Sequence, residues 1–366
     1  MIENNPEITL DDEARGIDAA PGSSAFLDWL WETALIGDDG KRYWFGGSPL
    51  ILKLENVDLC TWELCTETGE VVQDPYSIYK VAKFNGSNRS RKDALPGGAH
   101  KVTRTDDAVV VELGCLRVTC HKDHSWNIVV ADPEKQFHAD ITHKPDCHGP
   151  LWYGRENPSH LTQHSVTYGY NCSGRVEGTL TIDGKTVHVK GAGIRERYVA
   201  IDSSAAEIGG WEDWGWFHFD EVFGSMYDMR LGMKDLVVNL VPGNQYLPAG
   251  EISIEHHEWA YMPKYGGFIP TVYKIKIETE AGTLDMTAHA VNARTWGVTG
   301  KCPDNPVACI EWGQVDGTFT YKDGDVMTLH NGFGNISIRQ WRAYPSLIPP
   351  IAAFGGINAE ERFTTL

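Results

Sequence analysis

The sequence predicts an all-β protein built as two antiparallel β-barrels in tandem, and three observations lead there. Short alternating or β-branched runs follow one another without helical spacers. Glycine-bearing turns separate many of them, and one hairpin with its following strand occurs twice. The 366-residue length also exceeds the size at which a single hydrophobic core usually keeps growing.

From the N-terminus, the first twenty-odd residues are polar and end at Pro21-Gly22. Ser23 and Ser24 then stand where they would cap a short helix bearing Phe26, Trp29, Leu30 and Thr33, the one helix the spacing predicts. Strands are predicted over residues 50–54, 59–65, 108–113, 116–121 and 127–131. Turns are expected at Gly114, Asp183-Gly184, Glu280-Ala281-Gly282 and Asp323-Gly324, where glycine supplies the positive φ that tight hairpins need. Because successive strands lack helices between them, a parallel βαβ sheet is disfavoured, and closure into barrels removes exposed edges.

The repeat sets the domain count. V-E-G-T-L-T-I-D-G at 176–184 resembles V-D-G-T-F-T-Y-K-D-G at 315–324, and G-x-G follows each, at 191–193 and 332–334. The expected organisation is a polar leader with a short helix over 1–36, a first barrel over 37–205 and a second over 206–366, with the boundary near 201–210.

Composition narrows the partners. The formal charge of −18 repels nucleic acid and anionic lipid, while 42% hydrophobic and 11% aromatic residues suit packed sheets and an apolar ligand. No run of about 18 apolar residues occurs, so no membrane insertion is expected, and the acidic residues 1–20 do not read as a signal peptide. A cytoplasmic protein is the expectation. Cys60, Cys65, Cys115, Cys120, Cys147, Cys172, Cys302 and Cys309 form no C-x-x-C pair and read as reduced, mostly buried thiols. No metal and no cofactor are expected. H-E-x-x-H, the phosphate-binding G-x-x-x-x-G-K-[ST] and G-x-S-x-G are all missing, and adjacent His256 and His257 would point to opposite faces of a strand.

One stretch carries a family likeness. Tyr168-Gly169-Tyr170, the hairpin at 176–184, the strand G-A-G-I-R-E-R-Y-V at 191–199, D-W-G-W-F-H-F at 213–219 and Glu311-Trp312-Gly313 occur in that order. Together they resemble the carotenoid 1,2-hydratase and AttH-like superfamily, to which lipocalin-like fungal pericyclases are related. The chain departs from that pattern with Ile194 in place of tryptophan, Glu196 in place of aspartate and Tyr198 in place of an acidic residue. The resemblance implies tandem lipocalin-like (calycin) barrels, a pocket near their junction, and hydration, dehydration or cyclisation chemistry.

Hydrating an unactivated alkene needs a proton donor aimed at carbon, which a carboxylic acid kept neutral in apolar surroundings provides. Glu196 occupies the family's acidic position and is the first candidate. Strand alternation sends Arg195 and Arg197 to the opposite face, which predicts an inward glutamate; the R-E-R triplet also fits a solvated charge pattern. Tyr168 and Tyr170 share one strand face, where they either position Glu196 or simply pack. Trp214, Trp216 and His218 alternate onto one face, with Ile194 and Tyr198 as further substrate contacts, His218 as a candidate base and Asp220 to orient it. The leading expectation is a lyase, isomerase or cyclase acting on an apolar terpenoid, steroid or polyketide. The alternatives are a non-catalytic lipocalin-like carrier and a structural or interaction module.

Overall fold

The first barrel is assembled around a strand that the spacing assigns to a helix. The computed structural model describes residues 8–23, 25–54, 56–66, 70–73, 80–83, 89–145, 151–153, 159–162, 165–201, 212–228, 234–240, 245–262, 267–296 and 307–339. The helix, α1 (Leu10–Ala14), lies inside the polar leader, where Thr9 and Asp12 form a capping box and Asp11, Asp12 and Glu13 favour the positive helix start. Residues 26–37 form β1 (Phe26–Gly37), which corrects the helix predicted over Phe26, Trp29, Leu30 and Thr33. Leu27, Trp29, Trp31 and Leu35 enter the core, and Asp28, Leu30, Glu32 and Ala34 are buried on the other face. With both faces buried, apolar residues fall at helical and strand spacings alike, so periodicity does not arbitrate.

In chain order, β2 (Arg42–Leu52), β3 (Val57–Thr66), β4 (Glu70–Gln73), β5 (Lys80–Lys83), β6 (Arg89–Pro96), β7 (Lys101–Arg104), β8 (Ala108–Leu113) and β9 (Leu116–His121) follow. Next come β10 (Trp126–Asp132), β11 (Phe137–Pro145), β12 (Leu151–Tyr153), β13 (Ser159–Thr162), β14 (Ser165–Ile182) and β15 (Lys185–Ile201). The remaining strands are β16 (Glu212–His218), β17 (Val222–Asp228), β18 (Lys234–Leu240), β19 (Gln245–Met262), β20 (Gly267–Thr279), β21 (Gly282–Trp296), β22 (Val307–Tyr321) and β23 (Val326–Arg339).

The chain divides into two compact units, 1–66 with 87–208, and 67–86 with 209–366. In the first, the order β6-β3-β2-β1-β15-β14-β11-β10-β9-β8-β7 is an antiparallel meander whose last long strand returns beside its first. It curls around one core in which Trp29, Trp31, Trp62 and Trp126 are fully buried, with Trp62 stacked on Phe137 at 4.3 Å between ring centroids. In the second, β16 to β23 run up and down, β23 returns to β16, and β18 pairs β19, so eight strands close into a ring. Residues 67–86 leave the first unit: β5 lies parallel to β19 and β4 pairs β5. The first unit's strand order consequently passes from β3 directly to β6.

The repeated motif pairs its valine with a glycine of the next strand in both units, through an unbroken ladder in the first and between two register shifts in the second. Val176 faces Gly191 across β14–β15, and Val315 faces Gly332 across β22–β23. The first hairpin turns at Asp183 and Gly184, with φ of 51° and 75°, the left-handed pair that matches the twist of two antiparallel strands.

Candidate functional site

β15 has two chemically different faces, and from Ala192 to Val199 both are buried. Its odd-numbered residues enter the first barrel; its even-numbered residues lie on the face turned away from that core.

On the inner face are Arg195 and Arg197, both 0% exposed. Arg197 stacks on Trp29, 3.8 Å from the ring centroid, and donates to the carbonyls of Glu13 (3.0 Å), Arg15 (2.6 Å), Asp28 (3.0 Å) and Tyr198 (2.8 Å). It therefore ties α1 and the turn after it to β1 and β15. Burial pushes its guanidinium down to about 10, opposed by Glu13 and Tyr170. Arg195 lies 3.6 Å from Glu13 Oε1 and faces Trp126 (4.9 Å) and Tyr170 (5.4 Å). Glu13 also accepts hydrogen bonds from Trp126 Nε1 (3.0 Å) and from the Tyr170 hydroxyl. Burial raises the Tyr170 phenol well above its ordinary range, keeping it a neutral donor.

Two expectations change here. It is the arginines, not Glu196, that point into the barrel, because planar guanidinium groups can be buried against indole faces and backbone carbonyls. Tyr170 engages Glu13 inside the barrel rather than orienting Glu196 on the other face. Tyr168 pairs with Val199 through its backbone, and its side chain lies outside the described residues.

The outer face gathers Ile194 (0% exposed), Glu196 (8%) and Tyr198 (7%) on β15 with Asp28 and Glu32 (4% each) on β1. In the ladder Asp28 faces Tyr198, Leu30 faces Glu196 and Glu32 faces Ile194, while Asn171 of β14 flanks Glu196 on its other side. Two features of β2 accommodate the carboxylates. A Cβ on Gly46 would collide with the Glu32 carboxylate where it lies, so glycine here leaves that side chain its place against β2. The Ser48 hydroxyl donates to Asp28 Oδ1. Burial pushes the Asp28 carboxyl up to about 7, overriding the opposing pulls of Ser48 and Arg197. Near neutral pH, Asp28 is thus poised between acid and carboxylate on the same face as Glu196.

Farther along this face the strands open into a groove of about 590 Å³, lined by residues including Ile36, Asp38, Glu177, His188 and Lys190.

In the second unit, Trp214, Trp216 and His218 share the face opposite Phe217 and Phe219, which join the core. His218 stacks between Phe223 and Phe333, at 5.6 and 5.4 Å. Asp220 is exposed in the turn after β16, beyond the point where strand alternation holds, so the parity that assigned it to His218 does not apply. On the same outer face Glu311 of β22 faces Asn335 of β23 across the ladder, and both are buried, as with Asn171 and Glu196. His257 lies 3.1 Å from Glu255, while His256 packs edge-on to Trp259 and Tyr273. Among the described residues no three His, Cys, Asp or Glu side chains converge as metal ligands; Cys147, His148 and Cys302 lie outside them.

Sequence reasoning missed Asp28 and Glu13. Asp28 was hidden in the segment assigned to a helix, although Leu27, Trp29 and Trp31 alternate around it. Glu13 stood in the leader, where the T-x-x-D pattern from Thr9 to Asp12 was the available signal.

No protein-family model matches the chain, and no curated protein matches it in sequence. Solved structures do. A Nitrosomonas europaea protein assigned to AttH by name superposes with a TM-score of 0.59 at 12% identity, over 93% of this chain and 98% of that one. Kievitone hydratase from Nectria haematococca superposes with a TM-score of 0.56 at 13% identity, over 92% of this chain and 94% of that one. At these identities the likeness establishes the fold, two tandem lipocalin-like barrels.

Proposed function

We propose that this chain is a cofactor-independent acid–base enzyme that adds water to, or removes it from, a carbon–carbon double bond of a largely apolar small molecule such as a terpenoid, steroid or polyketide. The observation that carries the reading is Asp28: a buried carboxyl with a pKa pushed up to about 7, on one sheet face with Glu196. Two carboxyl groups with different environments can divide the roles of acid and base. Protonated Asp28 gives its proton to one alkene carbon, and the Ser48 hydroxyl steadies the carboxyl through that transfer. Water bonds to the cationic carbon and Glu196 takes the water's proton. Exchange with solvent returns Asp28 to its acid form and Glu196 to its carboxylate. Dehydration runs the same steps backwards, and isomerisation or cyclisation needs only a different fate for the cation.

The fold shared with a hydratase supports the reaction class, and the filled first barrel supports a site on the outer face rather than ligand carriage inside. Glu196→Gln tests the assignment: turnover is lost while substrate binding and thermal stability are retained. Undiminished turnover in that variant removes Glu196 from the chemistry.

A further inference from the structure

The first barrel has an open side. Its strand order starts at β6 and ends at β7, and among the described residues these two share no ladder, whereas β18–β19 pairing closes the second barrel. Side chains tie the β6 side to the end of β10 and the turn after it instead. Arg91 of β6 bonds Asp132 and Glu134, each at 2.9 Å, and Trp62 Nε1 of β3 donates to Asp132 at 3.1 Å.

Two cysteines meet across the same opening. Cys60 lies on β3, beside β6, and Cys115 lies in the β8–β9 turn, with 3.6 Å between their sulfurs. Gly114, in the left-handed conformation at φ 57°, brings the turn so close that a Cβ there would lie 3.0 Å from Cys60 Sγ. Cys60 is buried and Cys115 half-buried, so the pair has one member that solvent reaches.

We propose that Cys60 and Cys115 form a reversible disulfide that closes the first barrel covalently in response to a hydroperoxide. The sulfurs need to approach by about 1.5 Å to reach bonding distance, a small shift for a turn residue facing a strand. The Cys60 thiolate attacks the peroxide oxygen, the O–O bond breaks, and Cys60 sulfenic acid forms with release, after protonation, of an alcohol, or of water from hydrogen peroxide. The Cys115 sulfur then attacks Cys60 Sγ, the S–O bond breaks, and hydroxide leaves as water with the Cys115 thiol proton. Two thiols and one peroxide thus give one disulfide, one alcohol and one water. The 3.6 Å contact places the Cys115 thiol where it hydrogen-bonds the Cys60 sulfur, which lowers the Cys60 thiol and raises that of Cys115, so Cys60 is the nucleophile and Cys115 the resolving thiol. A dithiol restores both thiols by exchange.

The test oxidises the folded full-length chain with hydrogen peroxide, blocks free thiols and maps non-reduced tryptic peptides. The expected product joins the peptide carrying Cys115 to the one carrying Cys60 and Cys65, lighter by two hydrogens than the separate peptides and reversed by dithiothreitol. Its formation raises the thermal midpoint by on the order of 10 °C, since the link closes a long loop. Cys60→Ser and Cys115→Ser abolish both effects, and Cys65→Ser preserves them. Full alkylation of Cys115 after oxidation, or a cross-link that survives Cys60→Ser, overturns the proposal.

Discussion

Asp28→Asn isolates the titration on which the proposed chemistry depends. Asparagine keeps the shape of the side chain and an oxygen for the Ser48 hydroxyl, but it has no proton to lose. In the folded wild type the Asp28 pKa is about 7, raised by burial from an ordinary value of 3.8. The folded state therefore holds a proton that the unfolded chain has released over that interval. The sign follows: Asp28 stabilises the fold fully below pH 4, and this contribution is lost as pH rises towards 7 and through it. A tenfold difference in proton affinity between folded and unfolded chain corresponds to about 1.4 kcal/mol, so wild type should lose ~3 kcal/mol of stability relative to Asp28→Asn between pH 5 and pH 8. Urea unfolding of both proteins at pH 5, 6, 7 and 8 gives this difference directly, with changes common to both cancelling. A difference that stays constant across the series shows that Asp28 does not titrate near neutrality and refutes the reasoning.

Two further substitutions probe the surroundings of β1. Arg197→Lys loses the planar fork and its stacking on Trp29, leaving some of the four carbonyls unbonded, and should cost ~3 kcal/mol in urea unfolding while exposing residues before β1 to protease. Wild-type stability and protease resistance in that variant contradict the clamp. Gly46→Ala forces the Glu32 carboxylate away from β2 in a buried setting and should cost ~1–3 kcal/mol; an unchanged unfolding midpoint shows that the carboxylate has room to move.

Elements with one buried face were legible in the sequence. The run predicted at 116–121 is β9, whose burial alternates along its length, and that at 108–113 is β8. Turns were legible too, because Asp183-Gly184 states its backbone requirement directly. β1 was not, since a strand buried on both faces loses the polar alternation that distinguishes it from a helix. The same blindness affected the site. Alternation separated Glu196 from its flanking arginines, but it does not say which set faces inward. The family resemblance put Glu196 inward, whereas the indoles of Trp29 and Trp126 and the carboxylate of Glu13 create places for cations that appear only once distant strands meet.

The central claim is that Asp28 and Glu196 move protons to and from a substrate that gains or loses water. It is tested most directly by incubating the full-length chain in ¹⁸O-labelled water with a panel of terpenoid, steroid and polyketide alkenes, and following label by mass spectrometry. The account predicts one ¹⁸O per product molecule for at least one panel member with wild type, and loss of incorporation in folded Asp28→Asn and Glu196→Gln. Incorporation at the wild-type rate in both variants, or none from any alkene with wild type, contradicts it.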